Sequence, residues 1–136
     1  MQTETTPSGT FRIEPDGVLV GTLTVREHTL AQARENVAHI DGVLRAAGPH
    51  PMLLDVREVR ELETAAARHY ANPGQSLRPA ATALVVKGAL NRILGNLALA
   101  VMELAGNKMP LRLFEDLEAA RAWARGFAPA RTPRPS

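Results

Sequence analysis

Two short stretches decide the fold: Pro51-Met52-Leu53-Leu54-Asp55-Val56 and Thr82-Ala83-Leu84-Val85-Val86. Each is a brief apolar run bounded by turn chemistry, Gly48-Pro49 before the first and Asn72-Pro73-Gly74 before the second. Runs this short, rich in branched residues, read as strands buried on both faces. The segments around them read differently. Upstream, Leu30, Ala33, Val37, Ile40 and Leu44 recur at helical spacing. Thr29 and Gln32 stand at the capping-box separation in front of them. Between the two runs, about 61–71, Leu62, Ala66 and Tyr70 share one helical face. After the second run, 89–104 carries Leu90, Leu94, Leu97, Val101 and Leu104 at spacings of four and three. Strand–helix alternation of this kind implies a mostly parallel sheet covered by helices.

Working outward, Phe11 and Ile13 alternate with polar residues over 10–14, and Val18–Val25 reads as a second strand. The turn Pro15-Asp16-Gly17 joins the two as a hairpin. At the other end, Leu111 and Leu113 alternate with Arg112 over 110–114, the pattern of an edge strand with one wet face. Asp116 then caps a last helix, on which Leu117, Ala120 and Trp123 face inward. The expected order is β-β-α-β-α-β-α-β-α: an α/β domain with a mixed, mostly parallel five-stranded sheet and about four helices. The domain is expected over 10–127, between a flexible arm at 1–9 and a disordered Pro-rich tail at 128–136.

The totals narrow the function classes. One domain fits 136 residues, of which 45% are hydrophobic and 22% charged. There is no cysteine, which removes disulfides and thiolate chemistry. The net charge is only +2, and no basic stripe or aromatic-interleaved basic run appears, so nucleic acid is not an expected partner. The most apolar stretch, Ala89–Ala105, is interrupted by Asn91, Arg92, Asn96 and Glu103, so an integral membrane segment is not expected either. With no signal-peptide pattern at the start, the expected location is cytoplasmic.

Candidate chemistry is sparse. Ligands on parallel sheets favour the carboxyl ends of the strands, which here carry Asp55, Arg57, Lys87 and the helix start Asn91-Arg92. These five form the expected binding site for a small anionic or lipid-like ligand, with cations and helix N–H groups to hold an anion. No Walker or dinucleotide glycine motif supports a nucleotide. His28, His39, His50 and His69 lack the helical spacing of a metal pair and read as surface or partly packed rings. Ser76 has no nucleophile elbow. No catalytic residue, metal or cofactor is assigned, and a non-enzymatic role is expected. The 89–104 helix is apolar nearly all round, which implies burial on more than one side. Ile93, Leu97, Leu99 and Met102 are accordingly the expected interface with a protein partner, a second copy of the chain included.

Taken in order, Leu53-Leu54-Asp55-Val56-Arg57, Ala67-Arg68-His69-Tyr70-Ala71, Ala83-Leu84-Val85-Val86, Arg92-Ile93-Leu94-Gly95-Asn96 and Arg112-Leu113-Phe114 with Glu118, Ala119 and Trp123 resemble a bacterial STAS-like family. The fold is that of the SpoIIAA-like anti-sigma-factor antagonists, and the resemblance spans about 10–125. It implies a regulatory or protein-interaction domain. In the antagonists, a serine in an Asp-Ser-Ser-Gly-like turn at the start of the second helix accepts a phosphate. The matching positions here are Glu63, Thr64, Ala65 and Ala66. The acceptor position is Ala65, so the resemblance does not carry the phospho-switch over, and Thr64, one position away, is the candidate acceptor that remains.

Overall fold

A computed structural model describes residues 4–129. The strands are β1 (Glu4–Thr6), β2 (Gly9–Ile13), β3 (Leu19–Leu23), β4 (Glu27–His28), β5 (Met52–Asp55), β6 (Glu61–Leu62), β7 (Thr82–Val85) and β8 (Leu111–Phe114). The helices are α1 (Leu30–Ala47), α2 (Thr64–Ala71), α3 (Gly88–Leu104) and α4 (Leu117–Arg125). The main sheet has six strands in the order β1-β2-β3-β5-β7-β8. Its first two pairings are antiparallel and its last three parallel. The expected α/β architecture with four helices is present.

The central strands show why the apolar runs read as they do. Met52, Leu54 and Leu84 point to one face of the sheet, where they pack with Ile40 and Leu44 of α1. Leu53, Ala83 and Val85 point to the other, against Ala120 and Ala124 of α4. A strand covered on both sides has no polar position to spare. α1, α2 and α3 lie on the first face and α4 alone on the second, packed on β5, β7 and β8. Its alanines permit the close approach, and Phe114, Trp123 and Phe127 meet along its side in tilted and edge-to-face contacts at centroid separations of 5.7 and 4.9 Å. The β2–β3 turn is tied to α4 by Asp16, which accepts from Arg125 Nε at 2.8 Å and Arg121 Nη1 at 3.3 Å. Partial burial pushes the Asp16 pKa up, but the bonds from Arg125, the Val18 amide and Arg121 outweigh it and hold the group below its usual value.

The structure revises the expectation in several places. The sheet gains a sixth strand inside the 1–9 arm. Glu4–Thr6 pairs with β2, Ser8 is fully buried, and Gly9 sits where a side chain would run into the Thr22 carbonyl. The segment carries no apolar alternation. It is held by ladder bonds and by Thr6 and Ser8 hydroxyls donating to buried Asn36 Oδ1 at 2.8 and 3.1 Å. Residues 61–62, expected as helix, form a short parallel pair with Glu27-His28, and α2 begins at Thr64. The Pro-rich tail beyond Pro129 lies outside the described residues.

Candidate functional site

Two of the three cations of the expected anion site at the strand ends are paired with carboxylates, Arg57 with Asp55 and Arg92 with Glu115. Asp55 receives Arg57 Nε at 2.9 Å and Nη2 at 2.7 Å, as well as the Arg57 backbone N–H at 3.1 Å. The Asp55 carboxylate raises the Arg57 pKa above its ordinary value. Arg92 turns away to Glu115 at 2.9 Å. Lys87 is exposed, with no side-chain partner among the described residues. Asn91 is fully buried and serves the fold: Oδ1 accepts from the Lys87 N–H at 2.8 Å, while Nδ2 donates to the Val56 and Val59 carbonyls at 2.8 and 2.9 Å. Its amide thereby stitches the first turn of α3 to the loop after β5.

The remaining sequence candidates separate along their helices. Thr64 is exposed at the start of α2. On α3, Ile93 is 63% exposed, Leu97 and Leu99 are half-buried, and Met102 is only 7% exposed. The expected four-residue interface is therefore corrected: Met102 points inward and is not available to a partner. The outward stripe that α3 does present is Ile93, Leu97, Ala100 and Leu104, spaced by four, three and four. Leu104 is 89% exposed.

What the sequence did not reveal is a cavity of about 120 Å³ between the sheet and α1, α2 and α3. Its floor is Leu23, Met52, Leu54, Leu84 and Leu111; its roof includes Val37, Ile40, Ala67, Leu94, Ala98 and Met102. Each wall residue belongs to an apolar stripe that sequence periodicity assigns to the core. Whether facing stripes meet or leave a gap is settled by helix placement, and two features hold α3 where it is. Gly95 has no side chain, and a Cβ there would overlap Leu113 of β8. Asn91 anchors its first turn. Met52, Met102 and Met109 all line the wall, and methionine side chains adapt readily to the shape of what lies beside them.

Most of the buried polar atoms on the wall are engaged within the fold. Asn91 is engaged as described. Thr82 Oγ1 donates to Met109 Sδ at 3.4 Å. His28, expected as a surface or partly packed ring, is 1% exposed. It ends a chain of buried hydrogen bonds: Asn36 Nδ2 donates to Tyr70 Oη at 3.1 Å, and the tyrosine hydroxyl is 2.7 Å from His28 Nε2. The arrangement that leaves fewest groups without a partner has the hydroxyl, which accepts from Asn36, give its own proton to Nε2. The ring is then neutral with its hydrogen on Nδ1, an atom without a hydrogen-bond partner among the described residues. Burial pushes the His28 pKa down, against a smaller opposing effect of Gln32. Burial likewise raises that of Tyr70, partly offset by the Asn36 bond. Both groups are uncharged near neutral pH. Protonating the ring, as pH falls below the ordinary histidine value, works against the folded state.

Among the described residues, no three His, Asp or Glu side chains group as a metal site requires, and no helix is long and apolar enough to cross a membrane. Comparison with curated proteins and with solved structures finds no match. A family model does match, over residues 11–128, and its description is a domain of unknown function, DUF7793. That span runs from β2 through α4 and takes in every strand and helix that walls the cavity, so the chain belongs to the DUF7793 family.

Proposed function

We propose that this is a non-enzymatic, STAS-like regulatory domain that senses a small apolar molecule held between the sheet and α1–α3. The cavity carries the reading. A void of about 120 Å³ forgoes on the order of 3 kcal/mol relative to a filled core. That is a large fraction of the roughly 5–15 kcal/mol that holds a domain together. A ligand that fills it recovers part of that energy, so occupancy and stability are linked. An apolar cavity of comparable size, about 150 Å³, stays dry and takes up benzene-sized molecules. Asn91 and Thr82 of the wall are engaged within the fold, which favours binding over turnover. The order of strands and helices supports the STAS-like placement, and Ala65 at the acceptor position favours a switch driven by a ligand over one driven by phosphate.

The test is a thermal-shift series with neutral probes of increasing length, toluene, hexanol and octanol, on the wild type and on Ala98→Leu. The leucine adds side-chain volume from the roof. Wild type is expected to rise by several degrees with at least one probe, and Ala98→Leu by less than a degree with any. A wild type indifferent to every probe would remove this reading.

A second reading, association through α3, has its own observation: the exposed stripe Ile93-Leu97-Ala100-Leu104 on the side of the helix opposite the cavity. If α3 docks on a second copy, the mass in sedimentation should rise with concentration. Ile93→Glu with Leu104→Glu should return it to the monomer value. A wild type that stays monomeric at every concentration would leave no place for self-association.

A further inference from the structure

The cavity has a mouth, and the mouth has a charge. Of its wall residues only Leu77 and Arg78 are exposed, which puts the opening at the segment leading into β7. This segment is held in place. The Leu77 N–H donates to Asp41 Oδ1 at 2.6 Å and Arg45 Nη2 to the Gln75 carbonyl at 3.1 Å. The Asp41 carboxylate is already engaged by Leu77 and by Arg45 Nε at 3.0 Å, so it does not serve Arg78. No aspartate or glutamate lines the cavity. The Arg78 guanidinium has no hydrogen bond or ion pair with any described residue. An apolar chamber whose one charged wall group is an unpaired guanidinium at its exit suits one kind of molecule, because a guanidinium offers paired N–H donors matched to a carboxylate.

We infer that the occupant is a short amphiphilic carboxylate, its apolar tail among Met52, Leu84, Ala98 and Met102 and its carboxylate on Arg78. This rests on the ligand-sensing reading and adds the charge, polarity and orientation of the ligand. The volume suits a tail of about six carbons inside, with the head at the surface. The site lies toward the amino ends of β7 and β8, away from Asp55 and Arg57 at the carboxyl ends. An anion placed there keeps most of its water and gains a partly screened pairing with Arg78, stronger where the surroundings are apolar. The resulting preference is about three- to tenfold.

The experiment compares octanoate, 1-octanol and octylammonium at pH 8 by amide chemical-shift titration. The proteins are wild type, Arg78→Ala, Arg78→Glu and Ala98→Leu. Wild type is expected to bind octanoate three- to tenfold tighter than octanol. Arg78→Ala should equalise the two while leaving octanol unchanged within twofold. Arg78→Glu should prefer octylammonium to octanoate. Shifts should map to Leu84, Ala98 and Met102 and vanish in Ala98→Leu. Equal binding of octanoate and octanol to wild type, or a preference that survives Arg78→Ala, overturns the carboxylate inference and leaves the cavity reading standing. Absence of binding by all three chains overturns both. Because Arg78 is exposed and makes no bond within the domain, its variants fold, and unchanged amide spectra without ligand will show it.

Discussion

Asn91→Ala is expected to lower the unfolding free energy by about 3 kcal/mol. The side chain is fully buried and uses three of its four hydrogen-bonding positions. Alanine leaves the Val56 and Val59 carbonyls and the Lys87 N–H without partners. Each buried, unsatisfied group costs about 1–3 kcal/mol, and water reaching the exposed end of α3 recovers part of the total. Asn91→Asp should be no better, since a carboxylate still accepts from Lys87 but meets two carbonyls with its own negative charge. Urea unfolding at pH 7.5 measures both variants. An alanine variant within 1 kcal/mol of wild type would mean the loop after β5 and the start of α3 are not joined as described. A released α3 would also widen the cavity, so the variant should bind octanol more weakly than wild type does.

Tyr70→Phe should cost about 2–3 kcal/mol, although it removes one oxygen atom and preserves the ring. The hydroxyl is the middle link between Asn36 and His28. Without it, one amide hydrogen of Asn36 and the Nε2 lone pair of His28 are left in apolar surroundings, each at roughly 1–3 kcal/mol. The loss spreads to β1, because Asn36 Oδ1 receives the Thr6 and Ser8 hydroxyls. Amide exchange in residues 4–9 should therefore quicken in the variant, while α4, on the far side of the sheet, keeps wild-type protection. A stability loss below about 0.5 kcal/mol, or unchanged exchange in the N-terminal strand, would contradict the chain of bonds. If the neutral histidine is what the fold holds, His28→Gln should lose stability above pH 6.5, where wild type keeps the neutral ring.

Features legible in this sequence and features hidden from it divide by the range of the interaction involved. The capping box at Thr29 and Gln32 is present as read, with Gln32 N–H to Thr29 Oγ1 at 3.3 Å and Thr29 N–H to Gln32 Oε1 at 3.1 Å. It involves one turn of chain and nothing else. Periods of two and of three to four located the central strands and all four helices, because a buried face has to repeat with the geometry of its element. The site fared otherwise. Asp55, Arg57, Lys87 and Arg92 are where strand-end logic puts them, yet two of the three cations are paired with carboxylates. Side-chain pairing across about twenty residues, as between Arg92 and Glu115, leaves no periodic trace. β1 leaves no periodic signal because Thr5 and Thr6 carry no apolar alternation, and the segment is held from outside by Asn36 through Thr6 and Ser8. The burial of His28 is not legible in the sequence because a two-residue strand beside a loop is too short to show a pattern, and its partner Tyr70 lies forty-two positions away.

Local chemistry in the chain therefore determined which segments are strands and helices, where they stop, and that their apolar faces must close around a common sheet. Those properties depend on backbone geometry over a few residues and on the period with which apolar groups recur. Only the packing of whole elements decided that three apolar stripes stop short of full contact, that Arg78 stands unpaired at the gap and that a histidine lies under a tyrosine. Those are distances between parts of the chain far apart in sequence, and they depend on how close Gly95 lets a helix approach a strand and on where Asn91 anchors it.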